Sequence, residues 1–184
     1  RASWFHVTGI TPALSQGAAD ATVEAVTEAR RRGVVVSIDL NYRASLWRWG
    51  APPKSIMSVL VRNADVVIGN EEDADKIFGL RGPGVDVETG KVAPAAYEPV
   101  CRQLMSLFPN LRTVAFTVRG SISASENTWS GVMWHEGKFL AAKTYGITPI
   151  VDRVGSGDAF AAALIRGLLC EPQDPRAVLD FAVA

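Results

Sequence analysis

The residues with the clearest chemical potential lie in the run Asp152-Arg-Val-Gly-Ser-Gly-Asp158-Ala-Phe-Ala-Ala162. Two glycines and a serine open an apolar helical pattern there, and an aspartate falls in its first turn. The free N–H groups and dipole of such a helix end attract an anion. With no Cβ at Gly155 or Gly157, a phosphate can come close to the backbone, whose N–H groups, that of Ser156 among them, are the donors. An aspartate at the positive end of a helix stays ionised, so Asp158 can take a proton from a hydroxyl held beside that phosphate. The combination suits phosphoryl transfer to an alcohol. On local physics alone, ordinary capping accounts for the same residues about as well, because Ser and Asp favour helix starts and Gly-Ser-Gly is common in loops.

The elements that must position this run follow from hydrophobic periodicity. Short β-rich segments alternate with helical ones, the pattern of βα units that build a parallel sheet. Strands are expected at Ser3–Val7, Val34–Ile38, Asp65–Ile68 and Thr113–Val118. Helices are expected at Ala18–Arg32, Pro52–Arg62, Glu71–Phe78, from about Ala96, and at Ala159–Leu169, with Gly33 and Gly79 as stops. Leu80–Ala95 reads as a surface excursion and Gly146–Asp152 as a loop. Gly131–Trp134 and Phe139–Ala142, separated by His135-Glu-Gly-Lys138, read as a hairpin that turns the sheet antiparallel. The fold class is therefore α/β, with a mainly parallel central sheet flanked by helices and an antiparallel hairpin toward the carboxyl-terminal part. Ligands of such sheets bind beyond the carboxyl ends of the strands, which singles out Thr8-Gly9, Asp39-Leu-Asn41 and Gly69-Asn70-Glu71.

Composition narrows the function further. The 184 residues suit one globular unit, and 19 basic against 19 acidic residues leave no bulk field to hold nucleic acid or an anionic membrane. Cys101 and Cys170 form neither a disulfide framework nor a zinc pattern, so a soluble protein of the reducing cytoplasm is expected. Thr89-Gly90-Lys91 does not complete a Walker loop, since Val85 stands where its first glycine belongs, and a dinucleotide fingerprint on Gly155 and Gly157 fails at Phe160. His6 and His135 read as structural, and the five tryptophans as core or loop anchors. Asp39 reads as a structural carboxylate. Arg1 is not a starting methionine, and Asp180–Ala184 stops inside an apolar helical pattern, which points to a fragment.

Asp152-Arg-Val-Gly-Ser-Gly-Asp158 resembles the Asp-Thr-x-Gly-Ala-Gly-Asp signature of the ribokinase-like (PfkB) sugar kinases, with Arg153 and Ser156 in place of the commoner Thr and Ala. Asn70-Glu-Glu-Asp73 resembles that family's Asn-x-x-Glu motif, one methylene shorter at Asp73, and Thr117-Val-Arg-Gly120 resembles its nucleotide-contacting strand end. Asp39-Leu-Asn-Tyr-Arg43 followed by Leu46-Trp47, together with Phe5–Leu14 and the Ser123-Ala-Ser...Trp129-Ser-Gly131 segment, is similar to the 2-keto-3-deoxygluconate kinase branch.

The resemblance implies that residues 1–184 are the carboxyl-side part of a ribokinase-like domain, without the family's amino-terminal sugar-binding and lid portion or its final segment. It implies ATP and Mg²⁺ as cofactors and transfer of the γ-phosphoryl group to a hydroxyl of 2-keto-3-deoxygluconate or a related sugar acid. Asp158 is then the base, Gly155, Ser156 and Gly157 the anion hole, and Asn70, Thr117, Arg119 and Gly120 the nucleotide contacts. Asp73 reaches the metal through water, and Arg43 pairs with the sugar-acid carboxylate as a planar guanidinium does well. Two alternatives stay open: a kinase for a neutral sugar or nucleoside, and a catalytically silent binding protein of the same fold. A homo-oligomer is also left open.

Overall fold

A computed structural model describes residues 2–82, 94–123, 126–152 and 154–184. The expected excursion falls from 83 to 93 outside the described residues, as do residues 124 and 125 and Arg153 of the glycine-rich run. The chain runs β1 (Trp4–Thr8), α1 (Ile10–Ala13), α2 (Gln16–Arg31), β2 (Val35–Asp39), α3 (Pro53–Arg62), β3 (Val66–Gly69) and α4 (Glu71–Phe78). After a 3₁₀ turn at Pro94–Tyr97 come α5 (Glu98–Leu107), β4 (Thr113–Ser121), β5 (Asn127–His135), β6 (Lys138–Ala141), β7 (Tyr145–Ile147), α6 (Ser156–Cys170) and α7 (Pro175–Val183).

The strands form one sheet in the order β1-β2-β3-β4-β5-β6. β1 to β4 are parallel, while β5 runs antiparallel to β4 along nine paired positions, Thr113 opposite His135 through Ser121 opposite Asn127. β3, Val-Val-Ile-Gly, is buried at every position, as a parallel strand covered on both faces should be. Alternate side chains serve opposite layers. Val36, Ile38, Val67, Val114 and Phe116 pack with apolar residues of α2 to α5, whereas Val66, Ile68, Ala115 and Met133 pack with Phe160, Leu164 and Leu179 of α6 and α7.

The four expected parallel strands are present: β1 to β3 lie within about one residue of their predicted bounds, and β4 starts at Thr113 as predicted but runs three residues further, to Ser121. Two further features differ from the sequence reading. The sheet turns antiparallel at β5, which holds the first strand of the expected hairpin, but β5 starts four residues earlier than expected, because Asn127–Ser130 joins it although its polar residues carry little strand signal. The stretch read as a loop begins inside β7, a short exposed strand that pairs with Asn127–Trp129 beside β6. Tertiary pairing, not local propensity, makes both strands. The hairpin itself is as expected, with Glu136 and Gly137 at φ 45° and 86°, the left-handed pair that a two-residue hairpin turn requires.

Candidate active site

The carboxyl ends of β2 and β3 and the first turn of α6 enclose a cleft of about 430 Å³, lined by Asp39, Asn41, Arg43, Asn70, Asp73, Thr117 and Val154 to Asp158. Asn70 caps α4: its side-chain oxygen accepts the Asp73 N–H at 2.8 Å, and Asp73 Oδ2 accepts the Asn70 N–H at 3.1 Å. Asp73 Oδ1 also accepts the Tyr42 N–H at 2.8 Å, so the same carboxylate ties α4 to the segment that carries Arg43. Asn41 sits at φ 35°, a conformation asparagine tolerates, and its N–H reaches Asp39 Oδ1 at 3.2 Å while its side-chain amide reaches Thr8 Oγ1 at 3.2 Å. This turn aims the chain from β2 across the cleft. Arg43 lines the cleft and spends Nη1 on the Tyr42 carbonyl at 2.8 Å, leaving its other donors for a ligand.

The N-cap of α6 is Gly155, at φ 83°, where a side chain would be strained, and it has no side chain of its own to cap the first N–H groups. Gly157 differs in kind. A Cβ there would meet nothing within 4 Å, so its lack of a side chain keeps space open rather than relieving strain. Asp158, in the same turn, is exposed and lines both the cleft and a second groove, of about 700 Å³, between β1, α2 and α6. His6 faces that groove, bonded through Nδ1 to Ser37 Oγ at 2.7 Å, and burial holds its pKa below the ordinary histidine value against the pull of Asp158.

Two buried carboxylates give the cleft its electrostatic character. Burial, reinforced by the charge of Asp73, pushes Asp39 up to about 7, although the Asn41 N–H and Arg43 oppose it. Asp73 is also raised by burial, against the N–H groups of Tyr42 and Asn70. In the unfolded chain Asp39 releases its proton near 3.8, while in the folded protein it keeps it to about 7. Folding is therefore progressively disfavoured as pH rises through that window. Asp39→Asn removes the dependence, so without nucleotide or metal the variant should melt higher than wild type, by more degrees at pH 8 than at pH 5. A pH-independent gap would show that Asp39 is not the responsible group.

A second cavity, of about 450 Å³, adjoins the cleft across Ser156 and is walled by Trp129, Tyr145, Ile147 and Ile150, with Arg119 at its edge. Sequence reading put Arg119 just past a strand ending at Val118, whereas β4 runs on to Ser121 and pairs Arg119 with Trp129; it treated Trp129 as an anchor and missed the β7 wall. The alternation of Tyr145 and Ile147 about Gly146 was the available signal. Gly120 lines neither space; it is buried in β4, its N–H taken by Thr128 Oγ1 at 3.1 Å. Asp39, set aside from sequence as structural, lines the cleft beside Asp158. Among the described residues no group of three or more His, Cys, Asp or Glu is placed to hold a metal, and no helix is long and apolar enough to cross a membrane.

The chain is similar to known proteins along nearly its whole length. The chain is 30% identical over 182 residues to the 2-dehydro-3-deoxygluconokinase of Thermoproteus tenax, covering 97% of this chain and 46% of that one. It is 27% identical over 184 residues to the 2-dehydro-3-deoxygalactonokinase of Haloferax volcanii, covering 100% and 50%. The chain thus spans about half the length of the curated relatives it matches. The crystal structure of a 2-dehydro-3-deoxygluconokinase from Thermotoga maritima superposes with a TM-score of 0.85 at 38% identity, covering 98% of this chain and 52% of that one. With the parallel sheet, the glycine-opened α6 and Asp158 in one frame, and the family model for pfkB carbohydrate kinases matching residues 1–184, the chain belongs to the pfkB family of carbohydrate kinases.

Proposed function

We propose that this chain supplies the phosphoryl-transfer half of an ATP-dependent kinase whose acceptor is 2-keto-3-deoxygluconate or a related sugar acid, residues 1–184 being the carboxyl-side part of a ribokinase-like domain. The observation that carries the reading is Asp158 in the first turn of α6, behind a glycine N-cap and in one cleft with Arg43. The N–H groups of α6 attract the γ-phosphoryl oxygens, and their dipoles are in place before charge builds up. Asp158 takes the proton of the acceptor hydroxyl as that oxygen attacks phosphorus, and the bond to ADP breaks. Little covalent chemistry is asked of the protein; positioning and charge stabilisation supply the rate. Asn70 and Thr117 line the phosphate side of the cleft, and the apolar cavity beyond Ser156 offers flat walls for a nucleobase.

Mg²⁺ fits this cleft in the manner usual for kinases, held by substrate phosphates and one or two carboxylates with several waters retained. Each Asp73 oxygen already accepts an N–H, so Asp73 would hold the ion through water, with Asp39 beside it. The ion supplies neutralisation of phosphate charge. Arg43 favours an acidic acceptor over a neutral sugar, because a guanidinium left to face the cleft matches a carboxylate in shape and charge.

The direct test is turnover of the full-length protein with ATP against a panel of 2-keto-3-deoxy sugar acids, neutral sugars and nucleosides. Transfer confined to the acids supports the reading; transfer to neutral acceptors alone, or to none, overturns it. Gly157→Ala offers an independent check. A helical Gly→Ala change adds about 0.5–1 kcal/mol of stability, yet the new methyl stands in the space a phosphate needs. Melting temperature should rise while turnover falls about tenfold, a fraction of the roughly 100-fold that a 1 Å misplacement costs. Unchanged turnover would move the phosphate away from this turn.

A further inference from the structure

Ser156 has a side-chain role that neither capping nor a main-chain anion hole explains. It is the first residue of α6, one position past the N-cap Gly155, which has no side chain to cap the helix. Its hydroxyl instead accepts from Arg119 Nη2 at 2.8 Å, across 37 positions of sequence. Arg119 stands on β4 opposite Trp129 of β5, and its guanidinium carbon lies 5.4 Å from the centre of the Trp129 ring. Trp129 is itself anchored, with Nε1 donating to the Val183 carbonyl at 3.0 Å and its ring meeting Phe160 edge-on at 6.4 Å. Among the described residues Arg119 makes no ion pair with a carboxylate. A long cation is thus held at two points without being neutralised, and it sits where the apolar cavity meets the phosphate-binding turn.

We propose that the Ser156 hydroxyl is a positioning group. It holds the Arg119 guanidinium at the junction of the two spaces, where it meets the phosphates of the departing nucleoside diphosphate. This rests on the kinase reading above. When the γ-phosphoryl group moves to the acceptor oxygen, the bond from phosphorus to the β-phosphate oxygen breaks and its electron pair stays on the diphosphate. A cation fixed beforehand stabilises that growing charge without reorganising during the step. A free arginine would have to surrender its side-chain entropy to reach the same place. The hydrogen bond to Ser156 and the stacking on Trp129 remove most of that loss beforehand.

The test is a double-mutant cycle on the full-length protein, because Ser156→Ala removes the hydroxyl but keeps the main-chain N–H. Ser156→Ala should lower kcat/KM for ATP about 10- to 100-fold, the size expected for one hydrogen bond to a charged group, and leave KM for the sugar acid unchanged. Ser156→Thr, which keeps a hydroxyl, should recover most of the loss. In an Arg119→Ala background the Ser156→Ala change should cost nothing further. Equal losses in both backgrounds, or a loss that Thr does not restore, would overturn the proposal. Calorimetric ADP binding separates this idea from the kinase reading. If no acceptor is phosphorylated the kinase reading falls, and ADP affinity still decides the role of Ser156: weakening in Ser156→Ala but not in the Arg119→Ala background supports it, and no weakening overturns it.

Discussion

Asp158→Asn is expected to lower turnover by about 10²–10⁴, the usual contribution of a positioned general base, while leaving nucleotide binding close to wild type. The expectation follows from where the carboxylate sits. It is exposed to the cleft in the first turn of α6, and the anion site it neighbours is made of main-chain N–H groups that the substitution leaves in place. Stability should change little, since the favourable placement of an exposed acid at a helix start contributes only about 0.3–1 kcal/mol. If Asp158 were only a helix-end residue, the pattern would reverse, with a small change in melting temperature and no change in rate. Measuring both on the same variant separates the two readings, and a variant that keeps most of its turnover would remove Asp158 from the mechanism.

Arg43→Ala is expected to raise KM for the sugar acid about 10- to 100-fold, the loss of a charge-assisted hydrogen bond worth about 1.5–3 kcal/mol. KM for ATP should move by less than about threefold, within the scatter such estimates carry. Arg43 is exposed, so its loss opens no cavity in the core, and its one bond within the protein goes to the Tyr42 carbonyl beside it. Arg43→Lys should recover only part of the affinity, because an ammonium cannot present two parallel donors. Equal increases in both Michaelis constants would show that Arg43 shapes the cleft generally, and a neutral acceptor would then become the better reading.

Much of the local architecture around the cleft was legible in linear order. The glycines before Asp158, the strand end at Asp39 and the Asn70–Asp73 helix start are short-range features, set by the conformational freedom of glycine, by hydrophobic period and by capping. Those forces act within a few residues, so a sequence displays them. Asn70–Asp73 became a capping box as its spacing allows, the parallel strands β1 to β3 appeared within about one residue of where their apolar runs placed them, and β4 began where predicted.

What only the tertiary structure decided depends on residues far apart in the chain. The β5 and β7 strands exist because other strands offer them hydrogen-bond partners, and the wall of the second cavity comes into being with them. Asp39 looks like an ordinary strand-end carboxylate until burial and the charge of Asp73, 34 positions away in sequence, push it up to about 7. Ser156 and Arg119 are likewise unrelated in sequence, and only the packing of α6 against β4 and β5 brings a hydroxyl to a guanidinium at 2.8 Å. Local preference writes the elements into the chain. Desolvation, charge coupling and side-chain pairing arise only once the fold has brought distant residues within a few ångströms of each other.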